Sequence, residues 1–167
     1  MKITLSEITT KDLDTVVRIH CESWRDAYKG FMDEDYIARK NSTRRAKWEN
    51  ILAESPKEKH FLIRDGDVPI GMISADSPKE NVDGDTYEIF GLYILPPFMR
   101  KGYGTAAVSL AEEKIRSMGY GKISLWVLEP NQRARCFWKK MGFTRDGTEK
   151  TSYYDKPIKV LRYLKKF

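Results

Sequence analysis

Apolar residues recur along this chain with two different spacings, which separate the predicted helices from the predicted strands. From Lys11 to Trp24 the apolar positions recur every three or four residues, as they do on one face of a helix. His20 lies on that face, where a single histidine is typical of a half-buried structural side chain rather than a catalytic base. A second helical pattern runs from 33 to 53 and is broken near Asn41 and Ser42.

Short apolar runs between turn residues predict the strands. Residues 60–64 and 68–75 form an expected hairpin whose turn is 65–67. Gly119 and Gly142 are expected to end helices, because glycine readily adopts the left-handed conformation found there. The predicted strands are 1–5, 60–64, 68–75, 86–95, 122–128, 143–150 and 158–165, the later helices are 104–118 and 131–141, and the expected polar connections are 55–59 and 77–85.

This order of elements, β-α-α-β-β-β-α-β-α-β-β, predicts an α/β (α+β) fold in which a mixed sheet carries helices on both faces. The 167 residues fit a single domain, 1–167, with enough chain for a packed core. No apolar run approaches the about 20 residues of a membrane-spanning helix, and the first residues read directly as a strand rather than a secretory leader. A cytoplasmic protein with no membrane partner is therefore expected.

Charge and cysteine content narrow the classes of function. The net charge of +6 by itself would suggest a nucleic-acid partner. Basic and acidic residues are interleaved, however, and no run of five basic residues occurs, so we expect a mixed solvated surface and no nucleic-acid partner. Cys21 and Cys136 both lie in helical patterns and are expected to be small buried side chains rather than a disulfide or a metal pair, so no metal is expected.

A strand, a glycine turn and a helix follow one another in the middle of the chain. Residues 88–95 read as a strand that ends at Pro96 and Pro97, and Arg-Lys-Gly-Tyr-Gly-Thr at 100–105 precedes the helix. Glycines at alternate positions let consecutive backbone N–H groups converge, and the helix adds its unpaired N-terminal donors and positive dipole end. A phosphate or pyrophosphate is the expected ligand, although such turns also occur as plain connectors.

A second block, at 131–143, strengthens this interpretation. Together the two blocks resemble the GNAT superfamily of acetyl-coenzyme A-dependent N-acetyltransferases, whose loop reads Gln/Arg-x-x-Gly-x-Gly/Ala and whose later block reads Asn-x-x-Ala-x-x-Phe-Tyr-x-x-x-Gly-Phe. The matching residues are Gly102, Gly104, Asn131, Ala134, Phe137, Gly142 and Phe143. Met99 replaces the usual Gln or Arg, and Trp138 replaces the usual Tyr. Segments 20–30 and 158–163 also look like a bacterial branch of the superfamily, so the resemblance spans most of the chain. It implies a mostly antiparallel sheet of about seven strands.

The resemblance implies acetyl-coenzyme A as the cosubstrate. Its pyrophosphate is expected on the backbone of 100–105, and its pantetheine arm is expected to pair with the strand at 92–94 as a false strand. Gly91 indicates a bulge or a close backbone approach there, although it is also compatible with an ordinary strand glycine. The expected cofactor-binding residues are Leu92, Tyr93, Ile94, Arg100, Lys101, Gly102, Tyr103, Gly104, Thr105, Asn131, Arg133, Arg135 and Trp138.

Glu88 is the expected base, because relatives with a glutamate at this strand position use it to draw a proton from the amine, often through water. Its apolar neighbours could raise its pKa by desolvation, and the alternative is a solvent-facing charge at a strand end. A leaving thiolate needs little help because the thiol pKa is about 8.5. Trp138 cannot donate a proton. If the leaving thiolate needs a general acid, Tyr153 or Tyr154 is the nearest chemical substitute for the Tyr that is missing at position 138. If no acid is needed, the two tyrosines serve only in packing.

The resemblance places the acceptor near Trp24, Tyr28 and Phe31, and the acidic group at 33–35 either attracts a cationic amine or is plain surface charge. We expect an N-acetyltransferase that acts on a primary amine of a small molecule or peptide. A polyamine or protein N-terminal acetyltransferase is the alternative among enzymes. Met99 and Trp138 favour a different class, a non-catalytic acyl-coenzyme A-binding or sensory domain. The sequence leaves open whether the protein forms a homodimer.

Overall fold

A computed structural model describes residues 2–54, 59–78 and 83–167, without the side chain of Lys59, and within these ranges seven strands form one sheet flanked by five α-helices. The strands are β1 Ile3–Glu7, β2 Lys59–Asp65, β3 Val68–Asp76, β4 Thr86–Ile94, β5 Lys122–Leu128, β6 Thr144–Tyr153 and β7 Pro157–Lys166. The helices are α1 Leu13–Tyr28, α2 Glu34–Ser42, α3 Arg44–Ala53, α4 Tyr103–Ser117 and α5 Gln132–Lys140.

The predicted order of elements is confirmed, and so is the break in the second helical stretch. α2 ends at Ser42 and α3 begins at Arg44, with Thr43 between them. The predicted connection at 55–59 lies outside the described residues except that Lys59 begins β2, and part of the predicted loop at 77–85, residues 79–82, also lies outside them. In the part of the chain that is described, every helix is too short or too polar to cross a membrane.

The sheet has the order β1-β2-β3-β4-β5-β7-β6, and each neighbouring pair is antiparallel except β4 and β5, which are parallel. The predicted mixed, mostly antiparallel sheet is confirmed. The parallel register runs only from Thr86↔Lys122 to Ile89↔Leu125. Since β4 continues to Ile94 and β5 to Leu128, the two strands separate beyond Ile89 and leave a gap in the sheet.

A β-bulge redirects β4 where this gap begins. On β3, Ser74 pairs with Gly91 while the next residue, Ala75, pairs with Ile89, so Phe90 is the extra residue of the bulge. The bulge expected near Gly91 is therefore confirmed. Because side chains alternate along a strand, one extra residue exchanges the faces beyond it. Ile89 and then Leu92 contact the core beneath α4, whereas Tyr93 contacts the core beneath α1.

Helices cover both faces of the sheet, as the sequence predicts. α4 contributes Ala107, Val108 and Ile115 to one core layer, where α5 adds Trp138. α1 and α3 contribute Val16, Ile19 and Trp48 to the opposite layer. Both cysteine thiols are free, but the prediction that both are buried is wrong, because Cys21 is half-buried and Cys136 is exposed on α5. A helical pattern alone did not show which face of α5 that residue occupies.

His20 is a structural side chain, as its place on the apolar face predicts. The indole N–H of Trp48 donates to Nδ1 of His20 at 3.1 Å, and the His20 ring lies 5.0 Å from the ring of Tyr93 between centroids. Burial, followed by the charges of Arg44 and Lys47, lowers the pKa of His20 from 6.5 to about 3. The imidazole is therefore neutral in the folded protein near neutral pH.

We expect His20→Gln to flatten the acid dependence of stability. Between pH 6.5 and 3, His20 is protonated in the unfolded state but stays neutral in the folded state. The contribution of neutral His20 to the stability of the fold is therefore complete above pH 6.5 and is lost as the pH falls. As the pH is lowered through this window, the free energy of unfolding should fall less steeply in the variant than in the wild type, by about 1.4 kcal/mol per pH unit. Urea denaturation at a series of pH values measures this slope. Equal slopes in the two proteins would mean that His20 charges freely when folded.

Candidate functional site

The gap between β4 and β5 opens into a cavity of about 380 Å³. One end is lined by the loop before α4 and by α5, and the other end by α1. Of the expected cofactor-binding and substrate-binding residues, those that line it are Tyr28, Leu92, Tyr93, Ile94, Arg100, Gly102, Gly104, Thr105, Asn131, Arg133 and Trp138. β4 and the start of α4 form one side of the gap, and β5 and α5 form the other. Residues far apart in the sequence therefore meet there.

A turn with left-handed residues forms the loop end of the cavity. Arg100 has φ 59° and Gly102 has φ 86°, and Gly102 is the N-cap of α4. The first helical bond of the loop runs from the N–H of Ala106 to the carbonyl of Gly102 at 3.0 Å. The backbone N–H groups of 103–105 precede that bond, so they are first-turn donors at the positive end of the helix dipole. This is the geometry of an anion site.

Side chains fix this turn from outside the cavity. The hydroxyl of Tyr103 donates to Oδ2 of Asp65 at 2.7 Å, which ties α4 to the β2–β3 hairpin. Lys101 donates through Nζ to the carbonyl of Pro97 at 2.8 Å. The cavity lining contains neither Tyr103 nor Lys101. The side chains of these two residues therefore stabilise the turn without lining the cavity.

The start of α5 forms the facing wall. Asn131 caps the helix, because its Oδ1 accepts from the N–H of Ala134 at 3.1 Å. Arg133 lines the cavity and pairs with Asp26 of α1 at 2.8 Å, which links α5 to α1. Arg135 is turned away, since its guanidinium donates to the carbonyl of Glu129 at 3.1 Å. Of the two arginines on α5 that are expected to contact the cofactor, one borders the cavity.

Hydroxyl groups and aromatic rings form the α1 end. Burial raises the pKa of Tyr28 well above its ordinary value, and interaction with Tyr93 raises it further. Burial also raises the pKa of Tyr93. Both hydroxyls therefore keep their protons near neutral pH and can donate hydrogen bonds. The rings of Trp24 and Phe31 pack against that of Tyr28, with centroids 4.8 Å and 5.6 Å away, and lie behind the lining.

The expected base, Glu88, lies inside the sheet just before the cavity begins. It is 7% exposed and stands between Asp76 of β3 and Ser124 of β5. The alternative of a solvent-facing charge is therefore wrong, because so little of the residue is exposed. The cavity lining starts at the next residue, Ile89. The role of Glu88 as a base stays a prediction.

The two expected acids lie apart from the cavity lining. Tyr153 is 81% exposed at the end of β6. Tyr154 packs edge-on against Tyr36 with 6.4 Å between ring centroids, and burial raises its pKa. Trp138 is buried in the cavity wall with its ring 5.1 Å from that of Phe143. Whether any of them serves catalysis stays a prediction.

Sequence reasoning did not assign several lining residues to the site. Phe137 carries a signal, since it belongs to the block at 131–143, and its ring closes the space beside Gly104. Ser23 on α1 and Lys140 at the end of α5 line the cavity as well. Ser23 lies within segment 20–30 and Lys140 within the block at 131–143, but neither is one of the matching motif positions, so the packing of the two helices is what places them there.

Comparison with known proteins places these features in a family. A model of the family described as Acetyltransferase (GNAT) family matches residues 15–143. An uncharacterised N-acetyltransferase, YuaI of Bacillus subtilis, is 25% identical over 131 residues, which are 77% of this chain and 73% of that protein. The spermidine N(1)-acetyltransferase of Thermoplasma acidophilum is 25% identical over 158 residues, which are 92% of this chain and 95% of that protein.

A solved structure has the same fold over the whole chain. The PaiA N-acetyltransferase of Thermoplasma acidophilum, determined in complex with coenzyme A, superposes with a TM-score of 0.77 at 23% identity. The match covers 100% of both chains. The seven-stranded sheet with helices on both faces is therefore a fold already known among N-acetyltransferases.

Proposed function

This chain belongs to the GNAT family of acetyltransferases, and from that membership we propose that it moves an acetyl group from acetyl-coenzyme A to a primary amine of a small molecule or peptide. It is an acyltransferase. The proposed unit of function is one domain, residues 1–167. Its chemistry requires no metal, and the proposed location is the cytoplasm.

The observation that carries this proposal is the gap between β4 and β5 beside the start of α4. An anion-binding turn at 102–105 lies at one end of the gap, and the strand backbone at 92–94 borders it. Coenzyme A combines a pyrophosphate with an extended amide-containing arm. The turn suits the pyrophosphate, and the strand edge offers backbone partners to the arm where β5 has moved away.

The proposed chemistry uses backbone donors and one carboxylate. Among residues 92–94, a backbone N–H that faces the gap rather than β3 polarises the thioester carbonyl, and it needs no reorganisation because the strand is fixed by its pairing with β3. Glu88, through a water molecule, takes the proton from the amine. The amine attacks the carbonyl carbon, the bond from carbon to sulfur breaks, and the thiolate leaves with its electron pair. No acid is assigned, since a thiol pKa of about 8.5 allows departure as thiolate.

A polyamine is the second candidate acceptor, and one observation favours it. The relative that matches 92% of this chain is a spermidine N(1)-acetyltransferase. A protein N-terminus has no comparable support among the residues that line the cavity.

The proposal is tested by titrating the purified protein with acetyl-coenzyme A and then assaying a broad amine panel for release of free coenzyme A. The panel contains amino acids, their amides, polyamines and short peptides. We expect binding and amine-dependent release. Binding without release for any amine would support the non-catalytic acyl-coenzyme A-binding domain, and failure to bind would refute the donor assignment.

Trp138→Phe should affect stability more than chemistry. The indole fills the core between Phe137 and Phe143, with both ring centroids 5.1 Å away, so the smaller ring should cost about 1 kcal/mol or more in the free energy of unfolding. The pH dependence of kcat should not change, because the indole N–H is not an acid near neutral pH. Denaturant titration and a pH profile of kcat measure the two effects.

Tyr153→Phe and Tyr154→Phe are the matched controls for that profile. Each removes a phenolic proton and keeps the ring. If either variant abolishes the high-pH limb of the profile, a tyrosine acid is in use and unaided departure of the thiolate is wrong.

A further inference from the structure

Arg44 is a buried cation behind the α1 end of the cavity. It is 7% exposed, and Nε and Nη2 of its guanidinium are buried without a hydrogen-bond partner. The guanidinium carbon lies 5.1 Å from the centre of the Trp24 ring, and Trp24 packs directly on the cavity-lining Tyr28. A buried charge without an opposite charge is costly, so its presence needs a reason beyond packing.

The groups that surround Arg44 do not neutralise it. Burial lowers the pKa of Arg44, and the interactions that oppose this shift come from Tyr93, Cys21 and Tyr28, whose hydroxyls and thiol are neutral near neutral pH. An arginine stays protonated despite such a shift. In a poorly solvated region its field extends farther than it would in water, so this end of the cavity is electropositive.

The cavity lining also carries an unpaired hydroxyl and more positive than negative charge. Ser23 lines the cavity, and its Oγ is buried without a partner. Toward the loop and α5 end, the charged side chains of the lining are Arg100, Lys140 and Arg133, of which Arg133 pairs with Asp26, and among the described lining residues there is no aspartate or glutamate. Glu88 lies one residue beyond the lining. A polycation would meet positive charge without a matching carboxylate on this wall.

We propose that the acceptor carries an anionic group beside its amine, most simply the carboxylate of an amino acid, and that Arg44 makes the site select it. The partnerless hydroxyl of Ser23 donates to the carboxylate, as does the hydrogen-bonded hydroxyl pair of Tyr28 and Tyr93, which has one proton to spare. Arg44 supplies the opposite charge from behind Trp24. Hydrogen bonds from neutral donors orient the anion, while the buried cation offsets its loss of water. The inference rests on the proposed acetyl transfer and selects amino acids over polyamines.

The test compares amino acids with their primary amides, and each rate is expressed per unprotonated amine because removal of the carboxylate charge also lowers the amine pKa. With wild-type protein and saturating acetyl-coenzyme A, kcat/KM is measured for the L-amino acids, for their primary amides and for spermidine. The best amino acid should exceed its own amide by about tenfold or more, since hydrogen bonds and contacts to charged groups are worth that much. Spermidine should be a poorer acceptor than that amino acid.

Variants then assign the preference to Arg44. Arg44→Met keeps an aliphatic chain and removes the charge, so the ratio of acid to amide should fall toward one while the KM for acetyl-coenzyme A stays unchanged. Arg44→Lys keeps the charge and should retain most of the ratio. Ser23→Ala should lower the ratio partly. The wild-type ratio decides the substrate class even if an Arg44 variant fails to fold.

A binding measurement separates this inference from the proposed reaction. The coenzyme A-saturated protein is titrated with N-acetyl-L-amino acids and with the matching N-acetyl amides, which are product and neutral analogue. Tighter binding of the acids supports the inference. An amide bound or acetylated as well as its acid, spermidine as the best acceptor, or binding of neither probe overturns it. Loss of acetyl-coenzyme A binding itself would instead refute the proposed function.

Discussion

We expect Gly104→Val to raise the dissociation constant of acetyl-coenzyme A about 100-fold or more, which is equivalent to about 2.7 kcal/mol. A Cβ at Gly104 would lie 3.5 Å from the ring of Phe137 and 3.9 Å from Ile94, which is ordinary contact. The two further methyl groups of valine would then occupy the space between the helix N-terminus and that ring. Calorimetric titration of folded variant with acetyl-coenzyme A measures the loss.

The fold should survive this change, because valine is a better helix residue than glycine. Ser109→Val is the matched control, since Ser109 is exposed on the same helix, α4. It introduces the same side chain away from the cavity and should leave the dissociation constant unchanged. Unchanged affinity in Gly104→Val would show that the turn at 102–105 is not where the pyrophosphate binds.

Short-range features of this turn could be predicted from sequence. The alternating glycines at 102 and 104 predict a tight turn before the helix, and the structure gives φ 86° at Gly102, directly before α4. Gly91 predicts an irregular strand, and the bulge at Phe90 is its neighbour. In both cases the conformation follows from the missing Cβ and a few adjacent residues, so no distant part of the chain is needed to anticipate it.

The side chains around the cavity could not be predicted equally well. Arg133 and Arg135 are two residues apart on α5, so they point in different directions, and only Arg133 borders the cavity. From the block at 131–143 both arginines are predicted to contact the cofactor. A sequence motif does not show which face of the helix meets the gap, so it cannot distinguish them. The positions of Ser23 in the cavity lining and of Arg44 behind it depend on how α1, α2 and α3 pack on the sheet, which the sequence does not show.

The burial of Glu88 also depends on distant segments. From sequence the residue is equally compatible with an exposed strand end and a covered position. Glu88 is 7% exposed in a central strand that pairs with β3 on one side and with β5 on the other, and β5 follows only after α4. Pairing partners of a central strand are non-local, so a local pattern cannot distinguish these two positions.

Glu88→Gln should lower kcat by about 100-fold or more while the affinity for acetyl-coenzyme A stays the same. Glutamine has the same shape and hydrogen-bonding reach as the carboxylate, but it cannot accept the proton of the amine. The loss should be largest at low pH, where the acceptor amine is protonated, and it should diminish as the pH rises toward the amine pKa. Steady-state kinetics over a pH series, with calorimetry for donor binding, measures both effects.

Asp76→Asn is the matched control, because Asp76 is the cross-strand neighbour of Glu88 on β3. It removes a carboxylate from the same part of the sheet, and we expect it to leave kcat nearly unchanged. If Glu88→Gln retains turnover close to wild type at every pH, Glu88 has no part in proton transfer, and the acceptor must enter the site already deprotonated. If both variants lose activity equally, the effect is one of local charge or stability, and no base is assigned to this strand.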